Sequence, residues 1–172
     1  MSTCPFVSVA DAIVAELDAA RVAETFGVNE FQSEVIWGKR TIALEERNAL
    51  RVDVCPMSWS QSLKSRGSWS WLCHYQIGIR KRFEPDEKLG QTGEIVDSAL
   101  IELVNLTADV LKYFMPVRPD HQGRRLADVP AAVWREEKDG KTLAIVDWDD
   151  LSELSQFTGH FELTYEVAQS SA

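Results

Sequence analysis

Between Trp69 and Phe83 the chain alternates with a period of two. Trp69, Trp71, Cys73, Tyr75, Ile77 and Ile79 fall on one side; Leu72, His74, Gln76, Gly78, Arg80 and Arg82 fall on the other. A strand sends successive side chains to opposite faces, so this segment is expected to be a strand rather than a helix. Upstream, "FQSEVIWGK" (31–39) sets Phe31, Ser33, Val35 and Trp37 on one face. "ERNALRVDVCP" alternates Leu50, Val52 and Val54 with Arg51, Asp53 and Cys55, and Pro56 is expected to stop it. "MSWSQSLKSRGS" (57–68) reads as a long polar connection within the strand region 31–83. Near the C-terminus, 157–167 form a last strand with Phe161, Leu163, Tyr165 and Val167 inward. His160, Glu162, Thr164 and Glu166 face outward, and 168–172 read as a loose tail.

Two stretches carry the helical period instead. In 8–20, Val9, Ile13, Leu17 and Ala20 make one stripe, with Ser8 as the expected N-cap and Gly27 in the turn that follows. In 92–115, Ile95, Ala99, Leu103, Leu106, Val110 and Phe114 share a face that Leu100, Val104 and Leu111 widen. A helix of that length spans about 35 Å, enough to cover a small sheet. Asp139-Gly140 between two apolar runs signals a hairpin over 131–148. "DDLSELSQ" (149–156) adds a short helix. Strands grouped together rather than alternating with helices point to an α+β domain. The expected fold is an antiparallel or mixed sheet of about four to six strands with an N-terminal helix and a long helix packed on it.

Composition narrows this picture. With 172 residues, 45% of them hydrophobic, the chain is expected to form one domain, 1–172, around one core. Its formal net charge of −9 opposes general binding to phosphate backbones. No run of about 20 apolar residues exists, so no membrane span is expected. The N-terminal stretch lacks a cationic start and carries acids in its apolar part, unlike a secretory signal. Cys4, Cys55 and Cys73 form no CxxC pair; Cys55 and Cys73 lie in strand-like runs and read as small buried apolar groups.

Catalytic signatures are sparse. His74, His121 and His160 show no metal-ligand spacing, and the chain has no phosphate-cradling glycine loop and no nucleophile elbow. Asp147, Asp149 and Asp150 bring three carboxylates together, but Asp149 or Asp150 also makes a good N-cap for the helix that follows, which needs no metal. The sequon at Asn105 sits inside the long helix, where glycosylation is not expected. No catalytic residue, cofactor or metal site is therefore assigned.

The stretch from Ser62 to Phe83 is the most informative. Lys64, Arg66, Arg80, Lys81 and Arg82 concentrate cations in an acidic chain, beside Trp69 and Trp71. Aromatics next to cations can stack single-stranded nucleic acid. Here the tryptophans share the parity of Ile77 and Ile79, which directs them to the core or to a partner. Arg80 and Arg82 then form a polar stripe available to acidic neighbours such as Glu162 and Glu166. Six tryptophans are many for this length, and Trp and Arg concentrate at the centres of protein interfaces. Lys64, Arg66, Trp69, Trp71, Arg80 and Arg82 form the candidate interface.

"NALRVDVCP", a polar "SR" loop, "YQIGIRKRF", a long helix and "LSELSQFTGHFELTYEV" together resemble small proteins encoded among tailed-phage structural genes, over most of residues 8–167. The element order is similar to that of tail-terminator and other neck proteins. The resemblance implies a ring subunit, commonly hexameric, that caps the head-proximal end of the tail tube and receives the head–tail connector. DNA would pass through the lumen without specific binding, and the protein would reside in the virion neck after assembly in the host bacterial cytoplasm. No catalytic residues carry over. The 131–148 insert departs from the smallest terminators. The alternatives are another connector or head-completion protein, a single-stranded nucleic-acid-binding accessory domain, and a small enzyme around Asp147, Asp149, Asp150 and His160.

Overall fold

The computed structural model describes residues 4–27, 30–38, 49–65, 68–83, 97–115, 124–135, 144–154 and 156–170. The period-two segments become strands of one sheet: β1 (Phe31–Val35), β2 (Leu50–Ser65), β3 (Ser68–Arg82), β4 (Ala132–Trp134), β5 (Ile145–Val146) and β6 (Gln156–Ser170). The helices are α1 (Pro5–Val22), α2 (Asp97–Phe114) and α3 (Trp148–Leu154). Strand order is β1-β2-β3-β6-β4, with β5 also on β6. β1 runs parallel to β2 and every other pairing is antiparallel, so the sheet is mixed and the domain is α+β.

β3 is the spine. It pairs with β2 on one side and with β6 along its full length on the other, from Ser68↔Ser170 to Arg82↔Gln156. One face of these strands is apolar by alternation: Val52, Val54, Cys73, Tyr75, Ile77, Ile79, Phe161, Leu163 and Tyr165 are buried. α1 covers that face with Val9, Ile13, Leu17 and Ala20, and α2 with Leu103, Leu106, Val110 and Phe114. The phenol of Tyr75 donates to the Phe6 carbonyl at 2.8 Å and pins the start of α1 over the middle of β3.

Several expectations change. α1 begins earlier than predicted: Cys4 occupies the N-cap without a side-chain hydrogen bond, Pro5 takes the first turn, and Ser8 lies inside the helix. Pro56 does not stop β2. The register slips between Pro56 and Ser58, a bulge that absorbs one residue, and the segment read as a polar connection continues the strand to Ser65. Residues 168–170, read as a loose tail, pair with Ser68–Ser70. β4 and β5 do not pair with each other as hairpin partners. Both lie end to end along the free edge of β6, β4 against Tyr165–Val167 and β5 against Gly159–His160. The Asp139-Gly140 turn lies outside the described residues, as do Ile95 and the first residues expected of the long helix.

Two contacts seat the helices. At Gly159 a Cβ would meet Thr107 Oγ1 at 2.7 Å and the Phe157 ring at 3.0 Å, so only glycine lets α2 approach β6 this closely. The second is a polar clamp on Glu16, which is nearly buried. Its carboxylate accepts from Arg124 Nε at 2.6 Å, the Ala127 amide at 3.1 Å and the Tyr113 phenol at 3.3 Å. The Arg124 guanidinium also lies 3.7 Å above the Tyr113 ring. One carboxylate thereby joins α1, α2 and the 124–135 segment.

Gly159→Ala should lower unfolding stability by about 1–3 kcal/mol through overpacking. In a Thr107→Ala background the same change should cost measurably less, a coupling that a denaturant double-mutant cycle reads directly. Burial pushes the Glu16 carboxyl up, but Arg124, the Ala127 amide and Tyr113 outweigh it and hold it below its ordinary value of 4.5. The ionised clamp therefore contributes fully above 4.5 and is lost as pH falls through the lower folded value. Arg124→Ala should flatten the loss of stability on acidification from about pH 5 to 3.

Candidate functional site

The bulge in β2 changes which side chains share a face. Before it, Val54 and Pro56 lie opposite Ile77 and Tyr75; after it, Trp59, Gln61 and Leu63 lie opposite Cys73, Trp71 and Trp69. The odd-numbered residues of the distal β2 thus turn to the helix side of the sheet, beside the tryptophans of β3. Trp59 and Trp71 pack with ring centroids 4.8 Å apart. The Trp71 indole N–H is buried with no hydrogen-bond partner among the described residues.

Beyond this pair the face is open. Met57, Trp59, Leu63 and Trp69 are 56%, 50%, 60% and 40% exposed, whereas Tyr75 and Ile77 on the same side are 0% exposed. Every residue from Met57 to Ser65 is exposed. Distal β2, distal β3 and the end of β6 form a three-stranded arm about 30 Å long. Among the described residues no strand pairs with the outer edge of β2 over Met57–Ser65.

The opposite face of the arm is polar and knotted together. The Glu166 carboxylate accepts from the Ser70 hydroxyl and, at 2.6 Å, from Arg135 Nε, and Lys64 Nζ lies 3.3 Å away. The Ser70 hydrogen bond leads; with Arg135 and Lys64 it holds the Glu166 carboxyl below its ordinary range despite some burial. His74 meets the Thr164 hydroxyl at 3.0 Å further along.

The candidate interface residues therefore separate. Lys64, Trp69 and Trp71 lie on the arm, Lys64 on one face and the tryptophans on the other. Arg66 falls outside the described residues. Arg80 and Arg82 sit nine or more residues from Trp71 along β3, about 30 Å away. Arg80 meets neither Glu162 nor Glu166, which lie opposite Gln76 and Leu72. It folds across Gly78, whose absent Cβ would be 3.4 Å from its Nε, and reaches Asp53 Oδ2 at 3.7 Å. Asp53 also receives Arg51 Nε at 3.3 Å, and Arg51 pairs with Glu34 across β1. Asp53 is fully buried and Arg51 nearly so. Burial pushes the Asp53 carboxyl up, a cost that Arg80 and Arg51 offset in part. This cluster lies on the nominally polar face of the sheet, where alternation alone reads as solvent. Arg80 belongs to it rather than to the arm.

The alternative chemistry disperses as well. Asp147, not Asp149 or Asp150, caps α3, with Oδ1 accepting the amides of Asp149 and Asp150 at 3.0 and 3.1 Å. Asp150 accepts the Thr158 hydroxyl at 2.7 Å. His160 pairs across the sheet with Gly78 and Ile145. Among the described residues no three His, Cys, Asp or Glu side chains converge as metal ligands, and no helix is long and apolar enough to cross a membrane. Burial raises the Cys55 and Cys73 thiols above their ordinary range, which leaves both protonated at neutral pH.

A feature outside the candidate list lies at the far end of the sheet. Where β2 begins and β3 ends, α2 closes a cavity of about 370 Å³. Leu50, Phe83 and Leu103 form its apolar wall, and Glu30, Glu102 and Lys81 provide its polar groups. Five of its lining residues come from loops or strand ends remote from α2 in sequence, so no local pattern marks it.

Comparison with protein-family models gives no match, and comparison with curated proteins gives none either.

Arg80→Ala should destabilise the isolated chain by roughly 1.5–3 kcal/mol, because Asp53 then loses one of its two cations in a buried position. Arg82→Ala should leave the denaturation midpoint within about 0.5 kcal/mol of the parent. Equal effects of the two changes would return Arg80 to the surface.

Proposed function

We propose that the chain is a ring subunit of the tailed-phage neck, most specifically the tail terminator that joins the tail tube to the head connector. The observation that carries this reading is the arm, whose Trp59, Leu63 and Trp69 stand exposed beyond the helical layer. Isolated surface apolar residues are ordinary, but a contiguous aromatic patch continuous with the core marks a docking surface. The resemblance of the strand motifs to phage neck proteins supplies the class of assembly. A subunit of such a ring works through its interfaces and needs no active site, metal or cofactor. A chain with net charge −9 also suits a lumen through which DNA slides without sticking.

Light scattering and negative-stain imaging of the purified protein, alone and with isolated tail tubes, test the reading. Rings of about six subunits, or caps on tube ends, are the expected result. Arg66→Ala combined with Trp69→Ala should then block joining of heads to tails while the monomer stays folded. Infectious particles at normal yield from that variant would remove the arm from the interface.

One observation favours a second reading. The exposed tryptophans lie in a stretch, 54–83, that contains no carboxylate. A single-stranded nucleic acid stacked on Trp59, Trp69 and Trp71 would quench their fluorescence in a salt-sensitive manner. The separation of Arg80 and Arg82 from the tryptophans weighs against it. A monomer that ignores tubes but quenches with an oligonucleotide would replace the ring reading with this one.

A further inference from the structure

The strands of the sheet differ in what they leave unpaired. A strand edge carries a row of backbone N–H and C=O groups without partners, and proteins ordinarily keep such edges short or charged. β4 and β5 are three and two residues long, and the five residues of β1 include Glu34. β2 departs from this. Over Met57–Ser65 it runs for nine residues, all exposed, and among the described residues no strand pairs with its outer side there. Its one charge in this stretch is Lys64, which is engaged across the polar face by Glu166 at 3.3 Å. Such an edge accepts an extended strand that is apolar at alternate positions on one face and uncharged on the other. Met57–Ser65 itself has that pattern. Trp59 and Leu63 are 50% and 60% exposed on the apolar face, and Ser58, Ser60 and Ser62 lie on the reverse.

We propose that the Met57–Ser65 edge pairs antiparallel with the same edge of a second copy, about a two-fold axis at Gln61. Trp59 of each copy then lies opposite Leu63 of the other, and Ser60 opposite Ser62. Lys64 meets Ser58, so no like charges oppose one another. A slip of one residue would set the apolar face of one copy beside the serine face of the other. In the stated register, Trp69 and Leu63 of one copy continue into Trp59 and Trp71 of the other, which are already packed together. The contact is isologous and closes at two copies. It goes beyond the ring reading, whose contacts repeat around an axis, and does not depend on it. An edge about 30 Å long and about 10 Å deep buries roughly 300 Å² per copy, against ~800 Å² for a standard interface, so the dimer should form only as concentration rises.

Gln61 is exposed and would face itself across the axis, which supplies the test. Gln61→Glu and Gln61→Lys, each in the full chain, set like charges face to face at the centre of the pair. Circular dichroism and the denaturation midpoint check that both remain folded. Sedimentation equilibrium at low ionic strength then reads association. The parent should dimerise with rising concentration, and each variant alone about tenfold more weakly. An equimolar mixture opposes Glu to Lys and should recover the parent's association to within about threefold. Such recovery requires that two copies meet at the same position. If the parent associates and neither variant alters it, or if the mixture recovers nothing, the edge pairing is wrong. A parent that stays monomeric at high concentration overturns it as well. Rings of about six that persist unchanged in both variants would leave the ring reading standing and remove this pairing. Two-fold dimers that show the charge-swap recovery but ignore tail tubes would support the pairing and remove the ring reading.

Discussion

A strand rises more than twice as far per residue as a helix, and this mismatch organises the molecule. α1 and α2, at 18 residues each, span about 27 Å, whereas the 15 residues of β3 span about 50 Å. Two helices of this length cannot cover such a sheet along its strands. One end is closed by the Tyr75, Phe161 and Ile77 layer under α1 and α2. The other end must remain bare, or be covered by something else. The sequence places tryptophans there, with large apolar faces and limited rotamer freedom, which suits a surface that will be covered after folding.

How much of this was legible depended on whether the pattern was local. β3 and the inward residues of β6 followed from alternation, because each has one face buried throughout. α2 followed from its stripe. Pro56 misled, because a proline normally ends a strand; a bulge accommodates it, and a bulge leaves no mark in a period-two pattern except the break itself. The serine-rich run after it looked like a loop because its apolar residues, Trp59 and Leu63, change parity relative to Val54. Asp-Gly suggested a hairpin between neighbours, yet the flanking strands found a better edge on β6. Such competition among edges is tertiary and lies beyond any window of sequence.

The candidate site shows the same division. Trp69 and Trp71 were identifiable as lying on the apolar face because their parity matched the core strand they extend. Arg80 was misassigned because alternation placed it in solvent, while the absence of a side chain at Gly78 lets it lie across the sheet to Asp53. Asp53 and Arg51 had no sequence mark as buried, since charge ordinarily means exposure, and pairing with each other, with Glu34 and with Arg80 helps to make their burial tolerable. The cavity between α2 and the strand ends needed the whole fold before it existed.

The bulge at Met57 has a mechanical meaning. It sits at the root of the arm and increases local twist, so it sets the direction in which the arm points. A lever of about 30 Å turned by about 10° moves its end by about 5 Å, roughly the spacing of neighbouring strands. Aim is therefore as important as chemistry. The knot of Ser70, Glu166, Arg135 and Lys64 ties three elements of the arm on its polar side and resists such swings. In a closed assembly every subunit must repeat the same angle, and small errors add around the circumference. A braced hinge with a built-in offset is a way to encode curvature in a single chain.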